Sequence, residues 1–166
     1  MVLAMECNLS HVGVLQCSHH TSDLMMNQFQ GSIMYDPGAD LTSHNASHYG
    51  SPADQSNMRY VRFYQQRLWY MEQFAYLLEQ LDARQEGEGS MLDNSVVLLC
   101  SEISDGNTHS FDNMPFLLAG GAGGAYETGR LLAFNRASHA RLHLKIAQSL
   151  GSDITSFAGY SSPLFS

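Results

Sequence analysis

Positive charge is scarce in this 166-residue chain. It holds eight Lys and Arg residues against sixteen Asp and Glu residues, which gives a formal net charge of −8 at pH 7. Proteins that bind nucleic acid neutralise phosphates with clustered Lys and Arg, and the sequence has no such cluster, so nucleic-acid binding is not expected. The acidic balance suits a protein that binds cations, although the demands of solubility explain it equally well.

Cysteine and long apolar runs are also scarce. The three cysteines, Cys7, Cys17 and Cys100, form no C-x-x-C pair, which argues against a disulfide framework and against a zinc knuckle. Cys7 and Cys17 could pair, whereas Cys100 is expected to be a small buried residue at the end of a strand, and the redox state of all three stays open. The chain shows no run of about 18 apolar residues and no signal peptide, so we expect neither a membrane span nor an export signal within it.

Histidine, by contrast, is abundant. The eight histidines equal the Lys and Arg residues in number, and apolar residues make up 44% of the chain. An excess of histidine points weakly to metal or proton chemistry, but satisfied surface histidines would give the same composition. The length and apolar content predict one folded domain over residues 1–166.

The spacing of apolar residues predicts a mixed α/β domain. Helices are expected at Met1–Glu6, from Pro52 (with Ser51 as N-cap) to about Arg84, and at Ser138–Leu150. Strands are expected at His11–Gln16, Ser95–Cys100 and Phe116–Ala119, the last two buried on both faces, and Cys17–Ser51 is predicted to be a long loop. This order of elements suits an α/β sandwich.

The loop between the last two predicted strands carries a candidate site. Glu102, Asp105, His109 and Asp112 lie within eleven residues of one another. Carboxylates and imidazole are the ligands that suit zinc, manganese or iron, and ligands of open α/β sheets bind just beyond the carboxyl ends of the strands. The alternative is a solvated acidic loop with one hydrogen-bonded histidine.

Three histidine pairs lie outside that loop. His44 and His48 are spaced i, i+4, which places both imidazoles on one face if the segment is helical. Of the adjacent His19 and His20, at most one can point at a given ligand. The pair at the start of the last predicted helix, His139 and His143, is expected to face solvent.

Four segments carry a resemblance to a known family. The runs Met71–Leu81, Leu92–His109, Asp112–Gly124 and Thr128–Arg130 resemble the carboxyl-terminal part of the bacterial domain-of-unknown-function family 1552, and a looser likeness extends over Met1–Gly151. That family is similar to the alkaline phosphatase and sulfatase superfamily. The resemblance implies that the chain is the carboxyl-terminal portion of a longer, exported protein. It also implies part of a three-layer sandwich with a mainly parallel sheet.

The resemblance also implies a ligand set. A divalent ion (zinc, manganese or iron) would be held by His44, His48 and His109, and Glu102 would stand in place of a metal-binding Asp of the superfamily. Glu102 or Asp105 would bind a second ion or orient a ligand histidine, and Asp112 completes the candidate set. The chain departs from the superfamily pattern where no histidine follows Glu102, which weakens the second metal site.

Two functions follow from the resemblance. The full-length protein would be a metal-dependent hydrolase of small phosphate or sulfate esters, with its nucleophile in the amino-terminal half, so no catalytic nucleophile is assigned here. The alternative is a non-catalytic exported binding or structural module that keeps the fold, or an inert fragment. Without its amino-terminal half, the chain is expected to leave strand edges and apolar faces uncovered, and so to self-associate or to pair with that half.

Overall fold

The computed structural model describes residues 1–19 and 21–165. The helices are α1 (Val2–Glu6), α2 (Ser43–Ser47), α3 (Met58–Asp82), α4 (Met91–Asn94) and α5 (Ala140–Ser149), with a 3₁₀ turn at Ala122–Gly124. The strands are β1 (Gln85–Glu86), β2 (Gly89–Ser90), β3 (Val97–Leu99) and β4 (Leu117–Ala119). No helix in the described part of the chain is long and apolar enough to cross a membrane.

The chain divides into two compact units. Unit 1 consists of Met1–Gln80 and Leu99–Phe116, and unit 2 consists of Leu81–Leu98 and Leu117–Ser166. Almost all of α3 belongs to unit 1. A single domain over residues 1–166 stays a prediction.

The mixed α/β content is confirmed, but the described residues do not form a three-layer sandwich with a mainly parallel sheet. Strands β1 and β2 pair antiparallel, and β3 pairs with β4 in a second two-stranded sheet. Such a sandwich needs a sheet broad enough to carry helices on both faces, and strands of two or three residues cannot provide one.

The predicted strand His11–Gln16 is wrong. The segment has no regular structure, and its side chains Val12 and Val14 are 78% and 90% exposed. A strand exists only where its backbone groups pair with a neighbour. In the described part of the chain no strand pairs with this segment, so its alternating apolar residues do not produce one.

Strands β3 and β4 confirm the two later strand predictions in shortened form. All three residues of β3 are half-buried and Leu117 in β4 is exposed, so the prediction that both faces are buried is wrong. Because β3 ends at Leu99, Cys100 lies outside it. Cys100 is exposed rather than buried, and all three cysteines are free.

Helix α3 begins at Met58, six residues after the predicted start at Pro52. The Asp54 carboxylate accepts hydrogen bonds from the backbone N–H (2.8 Å) and hydroxyl (2.6 Å) of Ser56, which hold a turn before the helix. Asn57 Oδ1 then accepts from the backbone N–H groups of Arg59 (3.1 Å) and Tyr60 (3.4 Å). Asn57 therefore supplies the capping oxygen that the first turn requires.

The core of unit 1 is built largely from the segment Cys17–Ser51, which the sequence predicts to be a loop, together with α3. Met26, Met34 and Ala39 are buried and pack with Leu24 and Trp69. The segment is further attached to α3 by an ion pair in which the Arg62 guanidinium donates to Asp36 Oδ2 at 3.0 and 2.8 Å. The hydrogen bond from Arg62 is the main reason that the pKa of Asp36 is lowered.

The buried face of α3 differs from the face that its apolar spacing predicts. The spacing of apolar residues predicts a stripe formed by Val61, Tyr64, Leu68, Met71, Ala75 and Leu78. Tyr64 and Met71 are nevertheless exposed, while Gln66, which lies off that stripe, is completely buried. The difference arises because the methionine-rich loop covers the side of the helix that carries Arg62 and Gln66.

Helix α5 supplies two buried leucines of unit 2, Leu142 and Leu144, and Leu81 is a third. The sequence predicts that Leu142, Ile146 and Leu150 share one apolar face of this helix, but Leu150 is exposed. Helix α4 begins with a capping box between Ser90 and Asp93. Gly120 has φ +92°, and a Cβ atom there would meet the Ser95 carbonyl oxygen, so this close approach requires glycine.

Candidate functional site

Unit 1 brings His44, His48 and His109 into contact. The Nε2 atoms of His48 and His109 lie 3.3 Å apart. The His48 ring meets the rings of His44 and His109 edge to face, with both centroid distances 4.9 Å and both interplanar angles 76°. His48 is therefore the central member of a three-imidazole cluster.

Helix α2 positions His44 and His48. The Thr42 hydroxyl oxygen accepts from the Asn45 backbone N–H at 3.1 Å and so caps the helix. His44 lies in the first turn of α2 and His48 is its C-cap residue. The helical condition for their i, i+4 spacing is therefore met and both rings lie on one side, although the sequence predicts a loop over Cys17–Ser51. Both side chains are half-buried.

Aromatic packing fixes the end of α2 on α3. The Tyr49 ring contacts the rings of Tyr60 (5.1 Å between centroids) and Phe63 (5.2 Å). The Arg59 guanidinium donates to the backbone carbonyl of His48 at 3.3 Å, and Asn57 Nδ2 donates to that of Tyr49 at 2.8 Å. Arg59 in α3 and Asn57 just before this helix thus hold the backbone at His48 and at Tyr49, respectively.

The loop that carries His109 is ordered by Asp105. One carboxylate oxygen accepts from the Thr108 hydroxyl at 2.6 Å, and the other accepts from the Asn107 backbone N–H at 3.2 Å. These hydrogen bonds, led by that from Thr108, lower the pKa of Asp105, and the Tyr49 hydroxyl adds to the effect. Residues Asp105 and Ser110 close the loop as an isolated antiparallel bridge, and His109 adopts φ +54° within it.

Two contacts join this loop to the end of α2. Asn107 Oδ1 accepts from the Gly50 backbone N–H at 2.8 Å, and Asn107 Nδ2 donates to the Gly50 carbonyl at 3.3 Å. Gly106 is buried against Ser47, where a Cβ atom would lie 2.6 Å from the carbonyl oxygen of that residue. The close approach of His109 to His48 follows from these contacts.

The environment of His48 favours its neutral form. Burial is the main reason that its pKa is lowered, and the neighbouring His44, His109 and Arg59 lower it further, while the Asp105 carboxylate acts in the opposite direction. Only a neutral imidazole can offer a nitrogen lone pair to a metal ion. The cluster therefore keeps its central histidine neutral, with a nitrogen lone pair available to a metal ion.

The other predicted ligands lie apart from the three imidazoles. Glu102 and Asp112 are exposed, and their side chains form no hydrogen bond or ion pair with any other described residue. Asp105 is close to the cluster but engages its own loop. The assignment of these three carboxylates as metal ligands stays a prediction.

The remaining histidines do not join the cluster in the described structure. His19 is exposed and bonds with the Thr21 hydroxyl at 3.0 Å, and His20 lies outside the described residues. In unit 2, the rings of His139 and His143 lie 5.9 Å apart. His139 is exposed as predicted, but His143 is half-buried against Phe157, so the prediction that it faces solvent is wrong.

Sequence reasoning missed the residues that assemble the site. Gly106 and Asn107 join its two segments, and Arg59 and Tyr49 attach α2 to α3. One signal was present, because the run Asp105-Gly106-Asn107-Thr108 has the composition of a tight turn. Nothing in the local sequence indicates that this turn packs on Ser47.

Among the described residues, no group of three or more His, Cys, Asp or Glu side chains is arranged to hold a metal ion. The His48 ring instead contacts the rings of His44 and His109. Comparison with known proteins finds no matching family model, no similar curated protein and no similar solved structure.

Proposed function

We propose that His44, His48 and His109 bind one divalent metal ion, and that the full-length protein uses this ion to hydrolyse phosphate or sulfate esters. The observation that carries the proposal is the 3.3 Å separation between the Nε2 atoms of His48 and His109. The family resemblance described above supplies the reaction class.

The separation is that of a long hydrogen bond between the two rings, and it also equals the spacing of two ligands of one ion. Zinc–imidazole bonds of 2.0–2.1 Å at a tetrahedral angle place two ligand nitrogens about 3.3–3.4 Å apart. Hydrogen bonds donated by N–H groups in proteins are usually about 2.7–3.2 Å long. The two nitrogens are therefore already separated by the distance expected between two ligands of a tetrahedral metal ion.

His44 completes a three-nitrogen set. Its ring contacts His48 from the same helical face, and His109 is exposed on a loop. Metal binding would require the rings to rotate until their three nitrogens face one point. Imidazole ligands suit zinc and iron, whereas manganese prefers carboxylate oxygen. We therefore infer zinc or iron(II) before manganese.

A set of three protein ligands supports catalysis more than structure. Structural zinc sites are closed by four protein ligands, and catalytic sites keep one position open for water or substrate. A bound ion at that position would act as a Lewis acid on an ester oxygen. Asp105 would help to orient His48, and the nucleophile would come from residues outside this sequence.

The non-catalytic alternative is favoured by one observation. The Asp105 carboxylate is occupied within its own loop, and Glu102 and Asp112 lie exposed without partners among the described residues. A second ion would therefore lack an assembled set of oxygen ligands. On this reading the protein keeps one metal and binds a ligand without transforming it.

The resemblance supports two further proposals. A three-layer sandwich with a mainly parallel sheet would need strands from residues outside this sequence, which would extend β3 and β4. The same likeness favours an exported protein with a small ester substrate.

The test is calorimetric titration of the chelator-treated chain with zinc. We expect about one zinc per chain, with binding lost in the double variant His48→Ala, His109→Ala. The matched control is His139→Ala, His143→Ala, which removes another i, i+4 pair whose rings are in contact, from unit 2. The control is expected to bind zinc as the unaltered chain does.

Two outcomes would count against the metal site. If the unaltered chain binds no zinc, iron(II) or manganese, the cluster is not a metal site. If the two double variants lose binding equally, the histidines act without specificity. Hydrolysis of aryl phosphates or sulfates by the zinc-loaded full-length protein would then separate the enzyme from the binding module.

A further inference from the structure

Arg67 is a largely enclosed cation on α3. Its guanidinium lies over the rings of Phe63 and Tyr70, 4.9 and 5.0 Å from their centroids, and its Nη2 atom donates to the Ser43 hydroxyl at 3.2 Å. Ser43 is itself buried. Burial lowers the pKa of Arg67, which nevertheless keeps its charge because an arginine does not deprotonate in a protein.

Among the described residues, no negative charge balances this cation. No carboxylate pairs with Arg67 in the described part of the chain. Two polar atoms at this place are buried without a hydrogen-bond partner: Nε of Arg67 itself and the hydroxyl of the neighbouring Tyr70. Tyr70 lies one turn after Arg67 on the same helix, so the two atoms belong to the same place in the structure.

Burying these groups without partners raises the free energy of the folded protein unless a ligand satisfies them. An enclosed charge without a counter-charge is strongly unfavourable, and each buried donor without an acceptor adds its own desolvation cost. The aromatic faces attract the guanidinium electrostatically but do not replace in-plane acceptors for its N–H groups. An anion that accepts several hydrogen bonds would balance the charge and satisfy the unpaired donors at the same time.

We propose that Arg67, Tyr70 and Ser43 form an oxyanion-binding site that takes a phosphate, sulfate or carboxylate group. The guanidinium presents a planar fork of N–H donors, which matches two oxygens of such a group. The Tyr70 hydroxyl and the Ser43 hydroxyl supply further donors beside it. The site is independent of the histidine cluster and stands whether or not that cluster binds a metal.

The experiment measures inorganic phosphate binding to the 166-residue chain in the presence of a chelator, so that no metal contributes. Calorimetry is expected to show one saturable phosphate site. At a phosphate concentration roughly tenfold above Kd, the melting temperature should rise by about 3–5 °C relative to chloride at equal ionic strength. Acetate is expected to give a smaller rise, since it offers fewer oxygens.

Two arginine variants test where the phosphate binds. Arg67→Met is expected to abolish the rise, and Arg67→Lys, which keeps the charge but not the fork, is expected to weaken phosphate binding at least tenfold. Arg136→Met is the control, because Arg136 is an exposed arginine of unit 2 that takes part in neither proposed site; it should keep the full rise.

Several results would overturn the proposal. If the unaltered chain shows no saturable phosphate binding, the proposal is wrong, whether or not the Arg67 variants fold. An equal rise in Arg67→Met would place the phosphate elsewhere. Loss of the rise in Arg136→Met would reduce the effect to general attraction by surface charge.

Discussion

His48 and His109 lie 61 positions apart in the sequence, and their Nε2 atoms lie 3.3 Å apart in the structure. The approach depends on neutral, close-fitting contacts rather than on attraction between the rings. Asn107 bonds with Gly50, and Gly106 packs directly on Ser47. The geometry of the candidate site should therefore respond to substitutions that never touch a histidine.

Replacing Gly106 by alanine should separate the two halves of the site. The added Cβ atom would lie 2.6 Å from the Ser47 carbonyl oxygen, so the His109 loop must move away from α2. We expect a loss of about 1–3 kcal/mol in the free energy of unfolding, typical of overpacking, together with weaker zinc binding. Urea unfolding and zinc calorimetry measure the two effects.

Gly38→Ala is the control for this substitution. A Cβ atom at Gly38 would make an ordinary 3.5 Å contact with the Asp36 carboxylate. The control should change neither measurement appreciably. Unaltered zinc affinity in Gly106→Ala would show that the loop contact does not set the position of His109.

Replacing Gln66 by methionine should stabilise the protein. Gln66 is completely buried, and both polar atoms of its amide lack a hydrogen-bond partner. Methionine keeps the length of the side chain and removes the unsatisfied groups, so we expect a gain of about 1 kcal/mol. Thermal and urea unfolding of the variant provide the measurement.

Gln73→Met serves as the comparison, because Gln73 is exposed on the same helix. Its stability should stay within about 0.5 kcal/mol of the unaltered chain. A destabilised Gln66→Met variant would mean that the amide has partners, such as ordered water, that stabilise it.

His143 should make the metal-free protein less stable as the pH falls. Burial and the neighbouring His139 lower its pKa from the usual 6.5. Between the lowered pKa and 6.5, the unfolded chain binds more protons than the folded chain, so stability increases with pH across that window and decreases as the pH falls through it. His48 has a lowered pKa and contributes in the same direction.

The urea midpoint measured from pH 7.5 to pH 5 checks this expectation. His143→Gln should show a shallower decline than the unaltered chain, while replacement of the exposed His11 by glutamine should leave the slope as it was. An identical slope in all three proteins would rule out a contribution from His143.

The sequence was most informative where structure is local. The long helix after Ser51 and the two strands around the acidic loop are present in the structure, with shifted ends. The i, i+4 pair His44 and His48 lies on a short helix within the segment that the sequence predicts to be a loop. These features depend on neighbours within a turn or two, and such neighbours leave a periodic pattern.

Prediction from the sequence failed where a segment depends on contacts with residues far along the chain. His11–Gln16 has a strand-like pattern but no strand to pair with, and Gln66 is buried only because a methionine-bearing loop covers it. Proximity of His109 to the His44 pair was expected from the family resemblance and not from any pattern in the residues. A 3.3 Å separation between two imidazole nitrogens could not have been read from spacing at all.

X-ray absorption at the zinc edge of the one-to-one zinc complex tests the central claim most directly. Three imidazole nitrogens and one oxygen from water at about 2.0–2.1 Å are expected, because three histidines leave the fourth position open. The His109→Ala variant should lose one imidazole from that count. A zinc ion surrounded by oxygen alone, or an imidazole count unchanged in His109→Ala, would contradict the account.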